Sequence, residues 1–252
     1  MLRSVKRLKG YKIQAEDGEI GKVDDFFFDG DKWTIKYLVV EIGNWLARQE
    51  VLLSPVTLGR PDWTAEVFPV KLTKKQVENS PEIDTEKPVS RQQEIKLHKH
   101  YGWPYYWMQA PSPGLGTTAV PPSHYMPEPE QTGAATMVIE DVDPHLRSTK
   151  EVTDYRIQAI DGEIGHVEDF IVDDEIWMIR YLVIDTRNWL PGKKVLVSPL
   201  WIESIEWGGA KVEVDLTREQ IKTSPEFDPS MPVNRKYEER LYDFYGRPKY
   251  WI

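Results

Sequence analysis

The sequence contains no cysteine, which excludes disulfide bonds, thiolate metal sites and cysteine nucleophiles. It also has no apolar run that approaches the roughly 20 residues a membrane-spanning helix requires. The basic stretch at residues 1–10 contains no apolar core of the kind found in secretory signals. We therefore expect a cytoplasmic protein without a transmembrane segment.

Positive charge is also scarce, because 32 Lys and Arg stand against 41 Asp and Glu, a formal net charge of −9. The imbalance is uneven: residues 1–107 carry about +1, while 108–145 and 146–252 carry about −5 each. An acidic chain repels phosphate backbones, which argues against nucleic acid as the main partner. Peripheral association with a membrane surface remains open.

The chain does contain a long internal repeat. Residues 2–107 and 146–251 align without a gap at an offset of 144 positions, and about 48 of the 106 aligned positions are identical. We predict three parts: a first repeat (1–107), a Pro-rich flexible linker (108–145) and a second repeat (146–252). The linker leaves open whether the two repeats pack together.

Within each repeat, the hydrophobic pattern predicts mainly β-structure. Asp17-Gly18 and its equivalent at 161–162 are hairpin signals, since glycine tolerates a positive φ angle. The apolar runs 37–40 and 181–184 are typical of strands buried on both faces. About five or six short strands per repeat, separated by turns, predict a small antiparallel β-barrel or sandwich.

A short helical extension is predicted at the end of each repeat. Residues 73–76 and 217–220 fit a capping box, in which Thr and Gln satisfy each other's free amides at a helix start. A second helix is predicted at about 90–101 and 234–245, and a glycine follows each in the helix-ending position. Aromatic tails come after these glycines.

Three short motifs occur in the same order in both repeats. They are Leu-Arg-Ser, Asp-Gly-Glu-Ile-Gly and Tyr-Leu-Val-Val/Ile, at residues 2–4, 17–21 and 37–40 and again at 146–148, 161–165 and 181–184. In this order and spacing, both repeats resemble the PRC-barrel domain over about 70 residues each. The helical extensions lie outside the resemblance.

The resemblance implies a small β-barrel that serves as an assembly and interaction module without catalytic residues. Such barrels form the cytoplasmic domain of the photosynthetic reaction-centre H subunit and the C-terminal domain of the ribosome maturation factor RimM. These residues include neither the membrane helix of the H subunit nor the RNA-associated domain of the ribosome factor. We therefore do not expect either function to carry over as a whole.

Candidate metal-binding and catalytic groups have simpler interpretations. Acidic residues cluster at 24–31 and 168–175 without the spacing of a calcium loop, and turns favour Asp for backbone hydrogen bonding. His98 and His100 stand two apart on a predicted helix, so they point in different directions, and their equivalents are Tyr and Phe. We expect no metal, no cofactor and no catalytic residue.

The aromatic residues of the loops and tails are the remaining candidates. The loop tryptophans could bind another protein, where Trp is frequent at hot spots, or cover the end of the barrel. The tails could pack on a barrel, on the other repeat or on another chain. The candidate interaction residues are Trp45, Trp189, Tyr106, Trp107, Tyr250 and Trp251.

The sequence therefore favours a non-enzymatic bacterial adaptor or assembly protein that acts through protein–protein contacts or self-association. One alternative is a peripheral component of a photosynthetic or respiratory membrane complex. A second alternative is a ribosome- or RNA-associated factor. An enzyme would need a pocket between the repeats, with catalytic groups that the sequence does not reveal.

Overall fold

Strands account for most of the regular structure of the first repeat. The structure is a computed structural model that describes residues 1–44, 47–85, 89–108, 145–186 and 192–251. The strands of the first repeat are β1 (Leu2–Ser4), β2 (Lys12–Ala15), β3 (Gly18–Asp29), β4 (Thr34–Asn44), β5 (Ala47–Leu53) and β6 (Val67–Pro69). Its helices are α1 (Val5–Leu8), α2 (Lys74–Glu78) and α3 (Arg91–Tyr101).

The second repeat follows the same order of elements, with one additional strand, β12. Its strands are β7 (Leu146–Ser148), β8 (Arg156–Ala159), β9 (Gly162–Asp173), β10 (Met178–Asp185), β11 (Lys194–Val197), β12 (Ile202–Glu206) and β13 (Lys211–Val214). Its helices are α4 (Thr149–Val152), α5 (Arg218–Thr223) and α6 (Arg235–Tyr245). The predicted mainly β fold with short helical extensions is confirmed.

The strands of the first repeat close into a barrel. β2, β3, β4 and β5 are joined by antiparallel pairing, and β6 lies parallel to β2. After β5, the 3-10 turn Pro55–Thr57 brings Leu58 opposite Val70, beside the end of β6. A ring of five alternating strands must have one parallel pair where it closes, which the antiparallel prediction did not include. In the second repeat, the parallel pair is β8 and β13.

The Asp-Gly-Glu-Ile-Gly motif shapes the first hairpin of each barrel. Gly18 and Gly162 have φ angles of +134° and +132°, which residues with a side chain rarely adopt. A Cβ atom on Gly21 would overlap the carbonyl oxygen of Glu41 on the neighbouring strand. The second glycine of the motif therefore allows β3 and β4 to approach closely.

Side-chain caps fix the helical extensions where the sequence predicts them. α2 and α5 both begin with the predicted Thr–Gln capping box, and α3 begins with a third one formed by Ser90 and Gln93. α3 and α6 end at Gly102 and Gly246, both in the left-handed conformation. These caps place each long helix directly before its aromatic tail.

The two repeats exchange their first strands. β1 of the first repeat pairs with β9 of the second, and β7 of the second repeat pairs with β3 of the first. The turns before β4 and β10 add two more hydrogen bonds between the repeats. Ile35 N–H donates to the Trp177 carbonyl at 2.7 Å, and Ile179 N–H donates to the Trp33 carbonyl at 2.7 Å. The strands of both repeats therefore belong to one sheet.

The hydrophobic core also crosses from one repeat to the other. The Phe28 and Phe170 rings lie 5.9 Å apart, and Trp177 packs 6.2 Å from Phe26 and 5.9 Å from Phe68. One cluster of buried side chains therefore contains residues of both repeats. In this structure the two repeats therefore pack together.

The interior of the expected linker, residues 109–144, lies outside the described residues, so its flexibility and the domain boundaries stay predictions. His145, at its end, is held by a hydrogen bond from Gly30 N–H to its carbonyl at 3.0 Å. Among the described helices, none has the length and apolar character needed to cross a membrane.

Candidate functional site

A buried polar cluster joins the helical extension of the first repeat to its barrel. Glu94, in the first turn of α3, is completely buried. Its Oε1 accepts hydrogen bonds from Tyr37 OH on β4 at 3.0 Å and from Tyr106 OH in the tail at 2.6 Å. Arg91, one turn earlier on α3, pairs with Glu94 Oε2 at 2.7 Å. One carboxylate therefore connects the strand, the helix and the tail.

The second repeat contains the equivalent cluster. Glu238 Oε1 accepts hydrogen bonds from Tyr181 OH at 2.7 Å and from Tyr250 OH at 2.8 Å, and Arg235 pairs with Glu238 Oε2 at 3.0 Å. Burying a carboxylate is costly unless it is paired and hydrogen-bonded, and both conditions are met here. The same arrangement of two tyrosines, a glutamate and an arginine occurs in both repeats, and in each it attaches the helical extension to the barrel.

Burial keeps the phenols of these clusters protonated. Desolvation raises the pKa of Tyr37 and Tyr181 far above the usual value, and raises the pKa of Tyr250 to about 12. Desolvation also raises the pKa of Glu94, against the hydrogen bonds of its tyrosines and the charge of Arg91. At neutral pH the tyrosines are therefore protonated and act as hydrogen-bond donors to the glutamate oxygens.

The structure places both predicted aromatic tails on their own repeats. The Arg91 guanidinium lies 4.2 Å from the Trp107 ring centroid, and that of Arg235 lies 4.2 Å from Trp251. Tyr106 and Tyr250 bind the cluster glutamates, so these four candidate residues have structural contacts in cis. Their contact with another protein stays a prediction. The candidates Trp45 and Trp189 lie outside the described residues.

The first repeat has a histidine where the second has a tyrosine. His98 is buried, its Nε2 lies 2.8 Å from Tyr37 OH, and its ring lies 4.8 Å from that of Trp107. Desolvation lowers the pKa of His98. The His98 ring therefore packs among aromatic side chains. His100 Nε2 lies 2.9 Å from the Gln76 carbonyl, outside the cluster.

The acidic clusters of the sequence have a role that the sequence did not suggest. Asp25 accepts a hydrogen bond from Thr149 Oγ1 at 2.5 Å and another from Ser148 Oγ, where α4 begins. Asp169 accepts the equivalent bond from Ser4 Oγ at 2.5 Å, where α1 begins. Each carboxylate thus holds the exchanged strand and helix of the other repeat. Within the described parts of the chain, no group of three or more potential ligands could hold a metal ion.

Two surface clefts lie where the repeats meet. Cleft 1, of about 500 Å³, is lined by the start of β4, by Val56, by Tyr106 and by residues 174–177 of the second repeat. Cleft 2, of about 480 Å³, is lined by the start of β10, by Leu200, by Tyr250 and by residues 30–33 of the first repeat. These lining positions match at the offset of 144, so the clefts are equivalent.

Each cleft exists only because the repeats are joined. One wall comes from the barrel and tail of one repeat, and the other wall is a turn of the other repeat. The exposed side chains Val56 and Leu200, 64% and 70% accessible, lie at equivalent places in them. The sequence could have identified these exposed residues as turn residues. The hydrophobic periodicity, however, does not indicate which turn of the other repeat forms the opposite wall of each cleft.

The fold is a pair of joined small barrels with two equivalent clefts between them. Residues 2–75 match the family model of the PRC-barrel domain, from β1 to the start of α2. For the first repeat, this match confirms the resemblance to the PRC-barrel family found in the sequence, while the resemblance of the second repeat stays a prediction. The match supports a general role as an assembly or interaction module. A comparison with curated proteins gave no match.

Proposed function

We propose that this chain is a non-enzymatic assembly protein made of two PRC-barrels, which holds partner proteins at the two clefts of its internal pseudo-dimer. The observation that carries the proposal is the pair of equivalent clefts. Both combine exposed aliphatic side chains with aromatic and charged ones, as protein contact surfaces do. The second repeat is assigned to the same family because its strands repeat the pairing of the first.

The state of the buried polar groups supports a binding role over an enzymatic one. Within the described residues, the tyrosine hydroxyls of the clusters already donate to the Oε1 atoms of the buried glutamates. A general base would need an accessible position beside a substrate. No described contact favours a membrane complex or RNA in particular, so these alternatives are outcomes of the test.

The test is affinity purification of the full chain from its native cell, followed by reconstitution with the purified partner and size-exclusion chromatography with light scattering. A variant with Val56→Asp and Leu200→Asp places a charge in each cleft at an exposed position. We expect a stoichiometric complex with the parent chain that this variant abolishes. Met231→Asp, at an exposed position outside both clefts, is the matched control and should retain the complex.

Failure to form any complex, together with turnover of a metabolite by the purified chain, would overturn the proposal. If the chain instead binds RNA or isolated membranes, the result would favour the RNA-associated factor or the component of a membrane complex. A protein complex that both variants retain would contradict the assignment to the clefts.

A further inference from the structure

Each cleft contains a cation that lies over the ring of its tail tyrosine. Lys36 Nζ lies 4.2 Å from the Tyr106 ring centroid in cleft 1, and the Arg180 guanidinium lies 4.1 Å from that of Tyr250 in cleft 2. Lys36 and Arg180 are equivalent positions on β4 and β10. Both are partly buried, so both have lost part of their hydration.

Neither cation has a close carboxylate partner among the described residues. Arg180 Nη2 lies 3.7 Å from Asp173 Oδ2, longer than a charge-assisted hydrogen bond, and its Nε has no hydrogen-bond partner there. Lys36 forms no ion pair with any described residue. Of the two buried carboxylates whose charge acts on it, Asp29 accepts backbone hydrogen bonds from Asp31 and Lys32, and Glu94 is paired with Arg91. A desolvated cation is normally paired, so these two are available to take an anionic group from outside.

The remaining charges of the clefts do not cancel this preference. In cleft 1, Asp174 is occupied by Arg3, whose Nε lies 2.5 Å from Oδ2, and Glu175 is largely exposed. In cleft 2, the exposed Asp31, Lys32 and Glu203 line the mouth. These exposed groups are screened by water and salt, whereas the partly buried cations are screened less.

Apolar side chains lie beside each cation. Cleft 1 offers Val56 and Ile176, 64% and 51% exposed, together with Trp177 of the opposite turn. Cleft 2 offers Leu200, 70% exposed, together with Trp33 of the opposite turn. A ligand that suits both clefts therefore needs a carboxylate and an apolar group within one short segment.

We propose that each cleft binds a peptide segment of a partner protein in which an Asp or Glu adjoins a large apolar residue. This inference rests on the proposed function and names the chemistry of the partner. The carboxylate pairs with Lys36 or Arg180, and the apolar side chain packs against Val56 or Leu200. Because a guanidinium can hold a carboxylate through two parallel hydrogen bonds, cleft 2 binds the segment more tightly than cleft 1.

The test uses the full-length chain, labelled with ¹⁵N, and the probe peptide acetyl-Gly-Asp-Leu-Asp-Phe-Gly-amide. The indole N–H signals of Trp33 and Trp177, assigned through their Phe variants, report on clefts 2 and 1. A peptide with Asn in place of both Asp residues is the matched control. We expect the acidic peptide to shift both indole signals and to bind about tenfold more tightly than the control, which lacks the charge-assisted hydrogen bond.

Two variants resolve the clefts from each other. Lys36→Met should abolish the shift at Trp177 alone, and Arg180→Met should abolish the shift at Trp33 alone, since Met keeps the apolar stem without the charge. Lys75→Met, at an exposed position of α2, should change neither signal. Indole signals elsewhere that stay in place show that each variant is folded.

Equal binding of the acidic and the Asn peptides, or no shift of either signal at millimolar peptide, would overturn the inference. A protein complex that persists in the Lys36→Met, Arg180→Met double variant would also overturn it, yet would leave the assembly function intact. If the parent chain itself forms no complex with any protein, the proposed function would be refuted instead.

Discussion

Asp25 is the residue whose removal most directly tests the exchange of strands between the repeats. Its buried carboxylate accepts hydrogen bonds from Ser148 and Thr149, and from Lys150 N–H at 3.3 Å, all in the second repeat. It also pairs with Lys9 Nζ at 2.8 Å. We predict that Asp25→Ala strongly destabilises the whole chain, because it leaves several donors without an acceptor.

The magnitude follows from the interactions that the Asp25 carboxylate makes. Breaking a buried ion pair by removing one partner costs about 3–5 kcal/mol, and each hydrogen bond to a charged group contributes about 1.5–3 kcal/mol. These terms overlap, so we expect Asp25→Ala to lower the free energy of unfolding by about 3–5 kcal/mol. Asp25→Asn keeps an acceptor oxygen, and we expect it to lower that free energy by about 1–2 kcal/mol. Domains are typically stable by about 5–15 kcal/mol, so either change is measurable.

The assay is urea denaturation at pH 7, followed by tryptophan fluorescence and by circular dichroism. Asp24→Ala is the matched control, since the neighbouring carboxylate has no hydrogen bond to a described residue of the second repeat. Both probes should show one cooperative transition that shifts to lower urea in Asp25→Ala. A shift below about 1 kcal/mol, or the unfolding of the two repeats in separate steps, would refute the reasoning.

Three further predictions concern the junction and the clusters. Cleavage at a protease site introduced into 109–144 should leave two fragments that co-elute in size-exclusion chromatography, because the exchanged strands join them; fragments that separate would contradict the exchange. Tyr181→Phe should destabilise the chain by about 1.5–3 kcal/mol in urea denaturation, because Glu238 loses a buried donor; an unchanged midpoint would show that the bond contributes little. Because burial lowers the pKa of His98 below 6.5, the unfolded chain binds more protons than the folded chain as the pH falls. The urea midpoint should therefore decrease when the pH is lowered from 7.5 to 5.5. His98→Tyr, which copies Tyr242, should make that fall smaller; a fall of the same size would exclude His98 as its source.

The local structure of this chain was predictable from its sequence because it depends on neighbouring residues. Thr73 and Gln76 lie three positions apart and cap α2 without help from the rest of the fold. Gly102 ends α3 for an equally local reason, its left-handed backbone. The hairpin at Asp17-Gly18 likewise needs only a turn residue that accepts a positive φ angle.

The exchange of strands was not predictable, because its sequence signal is the same in either arrangement. Leu2–Ser4 would present the same side chains to β3 of its own repeat as it does to β9 of the other. Asp25 illustrates the difficulty: the sequence shows an acidic residue near a turn, and only the fold brings Ser148 to it. The clefts were missed for the same reason, since their two walls are distant in sequence.

The fusion of the repeats has a consequence that a true homodimer could not have. In a symmetric homodimer, one substitution changes both equivalent surfaces at once. In this chain, cleft 1 has Lys36 and Ile176 where cleft 2 has Arg180 and Lys32, although the surrounding backbone pairs in the same way. The duplicated fold therefore keeps two clefts of one design while allowing the side chains that line them to differ.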